Sequence, residues 1–146
     1  MSNFRHRDLV SIDDFSPEEL TTILDVAQSL KERPEQTATF ANGHTLAMIF
    51  EKQSLRTRVT FEVAMTRMGG HAIYLQPSDI GLGKREPVKD VARNLSRWCQ
   101  AIMARTFAHQ TVVELAEYAS VPVINALSDL EHPCQALADF QTLREH

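Results

Sequence analysis

The chain has 146 residues, 43% of them hydrophobic, and carries 15 Lys and Arg against 19 Asp and Glu, a net charge of −4 at neutral pH. That length suits one domain around one core, and the acidic balance argues against nucleic acid as a bulk electrostatic partner. No apolar run reaches the roughly 18 residues of a membrane span, and residues 1–8 are too polar and charged to begin a secretory signal.

In chain order, the first element is a helix. Ser16-Pro17-Glu18-Glu19 supplies a Ser N-cap, Pro at the first helical position and Glu at the third. Leu20, Ile23, Leu24, Ala27 and Leu30 then form an apolar face, and Pro34 ends it. Residues 45–50 are an apolar run with strand character. From Val59 on, Phe61, Met65 and Met68 recur at helical spacing and Gly69-Gly70 closes that helix. Residues 71–75 read as a short strand, followed by a Gly- and charge-rich loop over 76–86. Pro87 opens a helix with Val88, Val91, Ala92, Leu95 and Trp98 on one face. A buried strand is expected over 101–104. Thr111-Val112-Val113-Glu114 is a capping box for a helix through Ala119. Residues 121–125 give a fourth strand, and Pro133 starts a last helix that runs to the end. The alternation predicts an α/β domain over residues 1–146: an open, mostly parallel four-stranded sheet with helices on both faces. The last helix reaches Arg144-Glu145-His146 with no C-cap glycine, the pattern of a helix cut rather than finished.

The chemistry is expected outside the carboxyl ends of the strands, where open parallel sheets bind ligands. Ser54, Arg56, Thr57 and Arg58 fall in the first turn of the second helix, where free N–H groups and the dipole disfavour cations. Cations belong there when a third party, commonly a phosphate, brings the negative charge. The second strand is followed by Gly81, Gly83, Lys84 and Arg85, the third by Arg105-Thr106, and the fourth by Asn125 and then His132-Pro133-Cys134-Gln135. Guanidinium, hydroxyl, imidazole and amide groups at successive strand ends suit a small, doubly negative, phosphorylated ligand with a polar acyl part.

Several of these residues have ordinary readings. Arg58 with Glu62 at i+4 is a plain helix-surface pair. His132 before Pro133 is, taken alone, a capping or packing residue. Cys134 beside it is a structural thiol, because adjacent side chains at a helix start diverge and cannot act as a nucleophile–base pair. Gly81-Leu82-Gly83-Lys84 lacks the spacing of a nucleotide-phosphate loop. No two of the six histidines have metal-ligand spacing on one helix face, and Cys99 and Cys134 form no framework, which points to reduced thiols in a cytosolic protein. Only the conjunction at the strand ends carries the functional reading.

The motif Phe50-Glu51-Lys52-x-Ser54-x-Arg56-Thr57-Arg58, with Phe61-Glu62 after it, resembles the carbamoyl-phosphate motif of the transcarbamylases. His132-Pro133-Cys134-Gln135-Ala136-Leu137-Ala138-Asp139 is similar to their second signature, and the stretches 9–20 and 121–125 are also typical. The resemblance covers essentially the whole chain and leans towards ornithine carbamoyltransferases. It implies transfer of the carbamoyl group of carbamoyl phosphate to the side-chain amine of ornithine, giving citrulline and phosphate, with no metal or other cofactor. By position it implies that Ser54, Arg56 and Thr57, with the backbone of Leu55, hold the phosphate. Arg105 would reach phosphate and carbamoyl oxygen, His132 the same oxygen, and Gln135 the carbamoyl NH2. It further implies a cytoplasmic homotrimer with sites shared between subunits.

Three departures from the family pattern follow. Leu55 stands where Thr is commoner. Gly81 stands where many members carry a Gln that reaches a neighbouring site, leaving Lys84 and Arg85 as substitutes. Members are about twice this length, with a second domain for the amino acid, so the chain is expected to bind carbamoyl phosphate without turning it over. Alternatives are an aspartate or acylornithine acceptor, or a non-catalytic phosphometabolite-binding module.

Overall fold

The computed structural model describes residues 4, 6–83 and 85–146. After a turn of 3-10 helix at Ile12–Asp14 come α1 (Pro17–Glu32), β1 (Thr45–Phe50), α2 (Leu55–Arg67), β2 (His71–Leu75), the single turn α3 (Pro77–Ile80) and α4 (Val88–Trp98). They are followed by β3 (Ala101–Arg105), α5 (His109–Tyr118), β4 (Val123–Asn125) and α6 (Pro133–Glu145). The four strands pair in the order β2-β1-β3-β4 and every pairing is parallel.

β1 and β3 are central and almost wholly buried, as parallel strands covered on both faces must be. Side chains alternate between the faces. Ala47, Ile49, Ile102, Ala104 and Val123 pack with Val88, Val91 and Ala92 of α4 and Val112 and Leu115 of α5. Leu46, Met48, Phe50 and Met103 pack on the other side with Met65 of α2, flanked by Phe61 and Met68. Each large aliphatic side chain buried in this way contributes about 1.5–3 kcal/mol.

The elements differ from sequence expectation at several places. The loop expected over 76–86 contains α3. Helix α5 begins at His109, ahead of the Thr111 capping box, because the Asp129 carboxylate accepts the His109 N–H at 2.7 Å. A cap supplied from a distant loop overrides the local one. β4 is shorter than 121–125, since Pro122 has no N–H to give the ladder, although its carbonyl accepts from Ile102. Trp98 is 70% exposed rather than on the buried face of α4. It sits on the last turn, level with the point where Gln100 N–H meets the Thr45 carbonyl and the sheet is only beginning. In α1, Leu20, Ile23, Leu24 and Leu30 are half-buried and Ala27 is exposed.

The N-terminal segment closes the β4 edge. Leu9 bridges Ile124, its N–H donating to the Val123 carbonyl at 2.9 Å and its carbonyl accepting from Asn125 at 2.8 Å. The Asp8 carboxylate accepts the Val123 N–H at 2.7 Å. This pairing satisfies backbone groups that an open edge would expose. The fully buried Asn125 side chain fastens it, donating to the Val10 carbonyl at 2.9 Å and accepting the Leu127 N–H at 3.0 Å. Asn125→Ala strands both backbone groups, so urea unfolding should show a loss on the order of 3 kcal/mol. A loss below about 0.5 kcal/mol, the range of ordinary surface changes, would show that this side chain is not the fastener.

Candidate active site

The first wall of the site is the start of α2. Ser54 is its N-cap: the hydroxyl oxygen accepts the Thr57 N–H at 3.3 Å and the hydroxyl donates to Thr57 Oγ1 at 3.1 Å. The N–H groups of Leu55 and Arg56 have no carbonyl to meet inside the helix, which leaves them for a ligand. No acidic residue occupies this first turn. Arg58 is committed elsewhere: Nε donates to Glu62 at 2.9 Å and the guanidinium lies 3.9 Å from the centre of the Tyr74 ring. Its structural reading holds, and Arg56 is the arginine of this turn that lines the cavity.

The second wall comes from β3 and the loop after β4. Arg105 ends β3 opposite Phe50, and its Nη1 donates to Thr57 Oγ1 at 3.4 Å. Its Nε is buried with no hydrogen-bond partner. His132 is the N-cap of α6, where Nδ1 accepts the Gln135 N–H at 3.4 Å. With Nδ1 an acceptor, the neutral ring carries its proton on Nε2 and can donate from there. His132 is thus both a capping residue and a cavity residue. Cys134 packs its thiol against the Asn125 carbonyl at 3.5 Å, and burial pushes its pKa up to about 11, so it is a protonated structural thiol.

Ser54, Arg56, Thr57, Arg105, His132 and Gln135 line one open cavity of about 570 Å³, within the range of small-ligand sites. It opens where β1 and β3 meet at the carboxyl end of the sheet, the point at which strand order reverses. Among the described residues, neither Arg56 nor Arg105 has an ion-pair partner. Burial and the neighbouring Arg56 charge lower the Arg105 pKa. Burial and the Arg105 charge lower that of His132 from its ordinary 6.5, with Asp139 partly opposing. Cationic and N–H donors therefore converge on a cavity without an acid pairing either arginine. That arrangement takes a small dianion and can polarise a carbonyl beside it.

Not every expected residue is here. The Leu55 side chain is 78% exposed and outside the lining, so only its backbone is placed to contribute. Asn125 points inward to the N-terminal segment instead of presenting its amide. β2 is the edge strand, and its loop leads away: Gly81 lines a separate cavity of about 200 Å³ with Leu75, Ile80, Leu82 and Phe107. Gly81 has φ 61°, and a Cβ there would lie 2.7 Å from Arg85 Cβ, so the turn requires glycine. Lys84 lies outside the described residues. Two lining residues, Thr60 and Leu127, went unseen in the sequence. Leu127 has φ 147°, rare for a side-chain-bearing residue, and is held by Asn125 Oδ1 on its N–H and by Thr106 N–H on its carbonyl, the latter at 2.9 Å.

Comparison with known proteins gives the chain's family. Residues 7–145 match the family model described as aspartate/ornithine carbamoyltransferase, carbamoyl-P binding domain. An ornithine carbamoyltransferase of Pyrococcus horikoshii is 52% identical over 145 residues, covering 98% of this chain and 46% of that protein. One from Halalkalibacterium halodurans is 50% identical over the same shares. The solved ornithine carbamoyltransferase of Pyrococcus furiosus superposes with a TM-score of 0.95 at 50% identity, covering 99% of this chain and 47% of that one. That of Thermus thermophilus gives 0.87 at 52% identity, covering 94% and 48%. The chain thus spans about half the length of the relatives it matches.

The electrostatics predict the titration of His132. With its pKa lowered in the folded chain, the unfolded state takes up this proton more readily, so stability falls as pH drops below the ordinary imidazole value. NMR titration should place the His132 midpoint below 6.5, and added phosphate should raise it by offsetting the Arg105 charge. A midpoint at or above 6.5 without anion, or one that phosphate leaves unmoved, would contradict this description.

Proposed function

Because the chain belongs to the aspartate/ornithine carbamoyltransferase family through its carbamoyl-P binding domain, we propose that the cavity binds carbamoyl phosphate for transfer to the side-chain amine of ornithine. The observation that carries the reading is the Arg105 guanidinium, with a buried donor lacking an acceptor, beside an Arg56 without an ion pair at a helix start. The ornithine acceptor is supported by relatives of that name at 50–52% identity.

In this reading the phosphate sits at the first turn of α2, held by Ser54, Arg56, Thr57 and the free N–H groups of the turn. Arg105 bridges phosphate and carbamoyl oxygen, His132 donates from Nε2 to that oxygen, and Gln135 accepts from the carbamoyl NH2. When the amine attacks the carbamoyl carbon, the C=O electron pair moves onto oxygen, where the Arg105 and His132 donors stabilise it. As the carbonyl re-forms, the bond to the phosphate oxygen breaks, phosphate leaves on the α2 side and takes up the proton that the amine gives up. Each donor aimed at such an oxyanion is worth on the order of 3 kcal/mol, and holding both reactants in place supplies much of the rest. No described residue is assigned to ornithine, and the chain alone is expected to form no appreciable citrulline.

The reading extends to assembly as a cytoplasmic homotrimer. Leu55, Val59 and Val63 recur at i, i+4 and i+8 on α2 and are all exposed, at 78%, 46% and 42%. A second copy seated on this stripe would lie beside the turn whose Ser54, Arg56 and Thr57 line the cavity. Light scattering should give a trimer, and a monomer at high concentration would contradict the assembly.

Calorimetry tests the binding. Arg56→Ala and Arg105→Ala should each weaken carbamoyl phosphate about 10- to 100-fold, as expected for a lost charge-assisted contact. Unchanged binding in both, or none by the wild-type chain, would overturn the reading.

A further inference from the structure

On the first turns of α6, His132, Gln135 and Asp139 stand at i, i+3 and i+7 and so share one helix face. Gln135 lines the cavity, and its Nε2 donates to Asp139 Oδ1 at 2.8 Å. The orientation of a glutamine amide is ordinarily the least certain feature of a side chain, because oxygen and nitrogen are near-equivalent in shape. Here the partner settles it. An ionised carboxylate can only accept, so the end of the amide that meets it must be the NH2. The carbonyl Oε1 is then the end left for the cavity, and it can only accept as well.

We propose that Asp139 is a positioning residue for the carbamoyl group: it fixes the Gln135 amide so that Oε1, and not the NH2, faces the ligand's own NH2. The inference rests on carbamoyl phosphate being the ligand. It gives Asp139 a role in selecting the acyl part while leaving the phosphate contacts to α2. Without the carboxylate the amide can turn over, and its NH2 then meets the ligand's NH2, two donors face to face. A site with a fixed acceptor at this point distinguishes carbamoyl phosphate from acetyl phosphate, which has a methyl group there and nothing to donate.

Electrostatics makes the test decisive. Deleting a negative charge near the cavity cannot weaken a dianion by Coulomb's law, so loss of selectivity with phosphate affinity retained isolates the orienting role. Asp139 is exposed at the helix surface, and circular dichroism checks that the variants keep their helices. Calorimetry would measure inorganic phosphate, acetyl phosphate and carbamoyl phosphate on the wild type, Gln135→Ala, Asp139→Ala, Asp139→Glu and the double alanine variant. The wild type should favour carbamoyl over acetyl phosphate by about 5-fold or more, the worth of one neutral hydrogen bond. Gln135→Ala and Asp139→Ala should each erase most of that preference, the double variant should lose no more than either, and Asp139→Glu should restore part of it. Phosphate affinity should change by less than about 2-fold throughout, the scale of a lost exposed charge. A preference that survives Asp139→Ala but not Gln135→Ala would overturn the positioning role, as would a wild type with no preference. A wild type that takes up no phosphate would overturn the underlying reading, and this inference with it.

Discussion

Two guanidinium groups and an imidazole face one cavity, and among the described residues no acid pairs with either arginine. Several other arginines do meet an acid: Arg7 on Glu19, Arg58 on Glu62, Arg93 on Asp90 and Arg144 on Asp25. At the cavity, burial first and then the repulsion of a neighbouring positive charge, Arg56 on Arg105 and Arg105 on His132, lower the proton affinity of Arg105 and of the imidazole. Such repulsion costs stability, so the surrounding structure has to hold it. The buried Arg105 stem ends a central strand, Ser54 and Thr57 lock the turn carrying Arg56, and Pro133 fixes the start of the helix that His132 caps. An arriving dianion converts this cost into binding energy.

The parallel sheet makes the convergence possible. β1 and β3 are neighbours in register, Phe50 opposite Arg105, so the turn after one strand and the last residue of the next are brought together by the ladder itself. β4 lies beside β3, and its continuation is bent back over the site by the Asn125–Leu127 turn. β2 lies on the far side of β1, which is why its glycine-rich loop serves a different cavity. Strand order, more than residue type, decides which strand ends share a ligand.

Much of this was legible in the sequence because the signals were local. The apolar stripe and the arginines at a positive helix end all lie within residues 56–68, and the fourfold alternation of strand and helix pointed to the fold. What escaped depended on partners distant along the chain. Asn125 read as a ligand group because nothing nearby in sequence shows that Val10 occupies its amide. The Thr111 capping box was a sound local signal, displaced by Asp129 from the loop after β4. Trp98 satisfied the helical period, but period says nothing of where the sheet beneath it begins. Leu127 could have been suspected only from the asparagine two residues earlier, since Asn side chains readily hold a turn by bonding the backbone two residues on. The Gln135–Asp139 pair was visible as an i, i+4 spacing; its meaning needed the cavity on one side of it.

The central claim is that the uncompensated positive charge at the strand ends is a built site for a phosphate dianion. Thermal unfolding in increasing inorganic phosphate at constant ionic strength, set against chloride and repeated for Arg105→Ala, tests it most directly. A ligand that binds only the folded state stabilises it by about 2.7 kcal/mol at a hundred times its Kd. Tm should therefore rise with phosphate in the wild type and stay flat in the variant. A Tm that follows ionic strength alone, or rises equally in both proteins, would contradict the account.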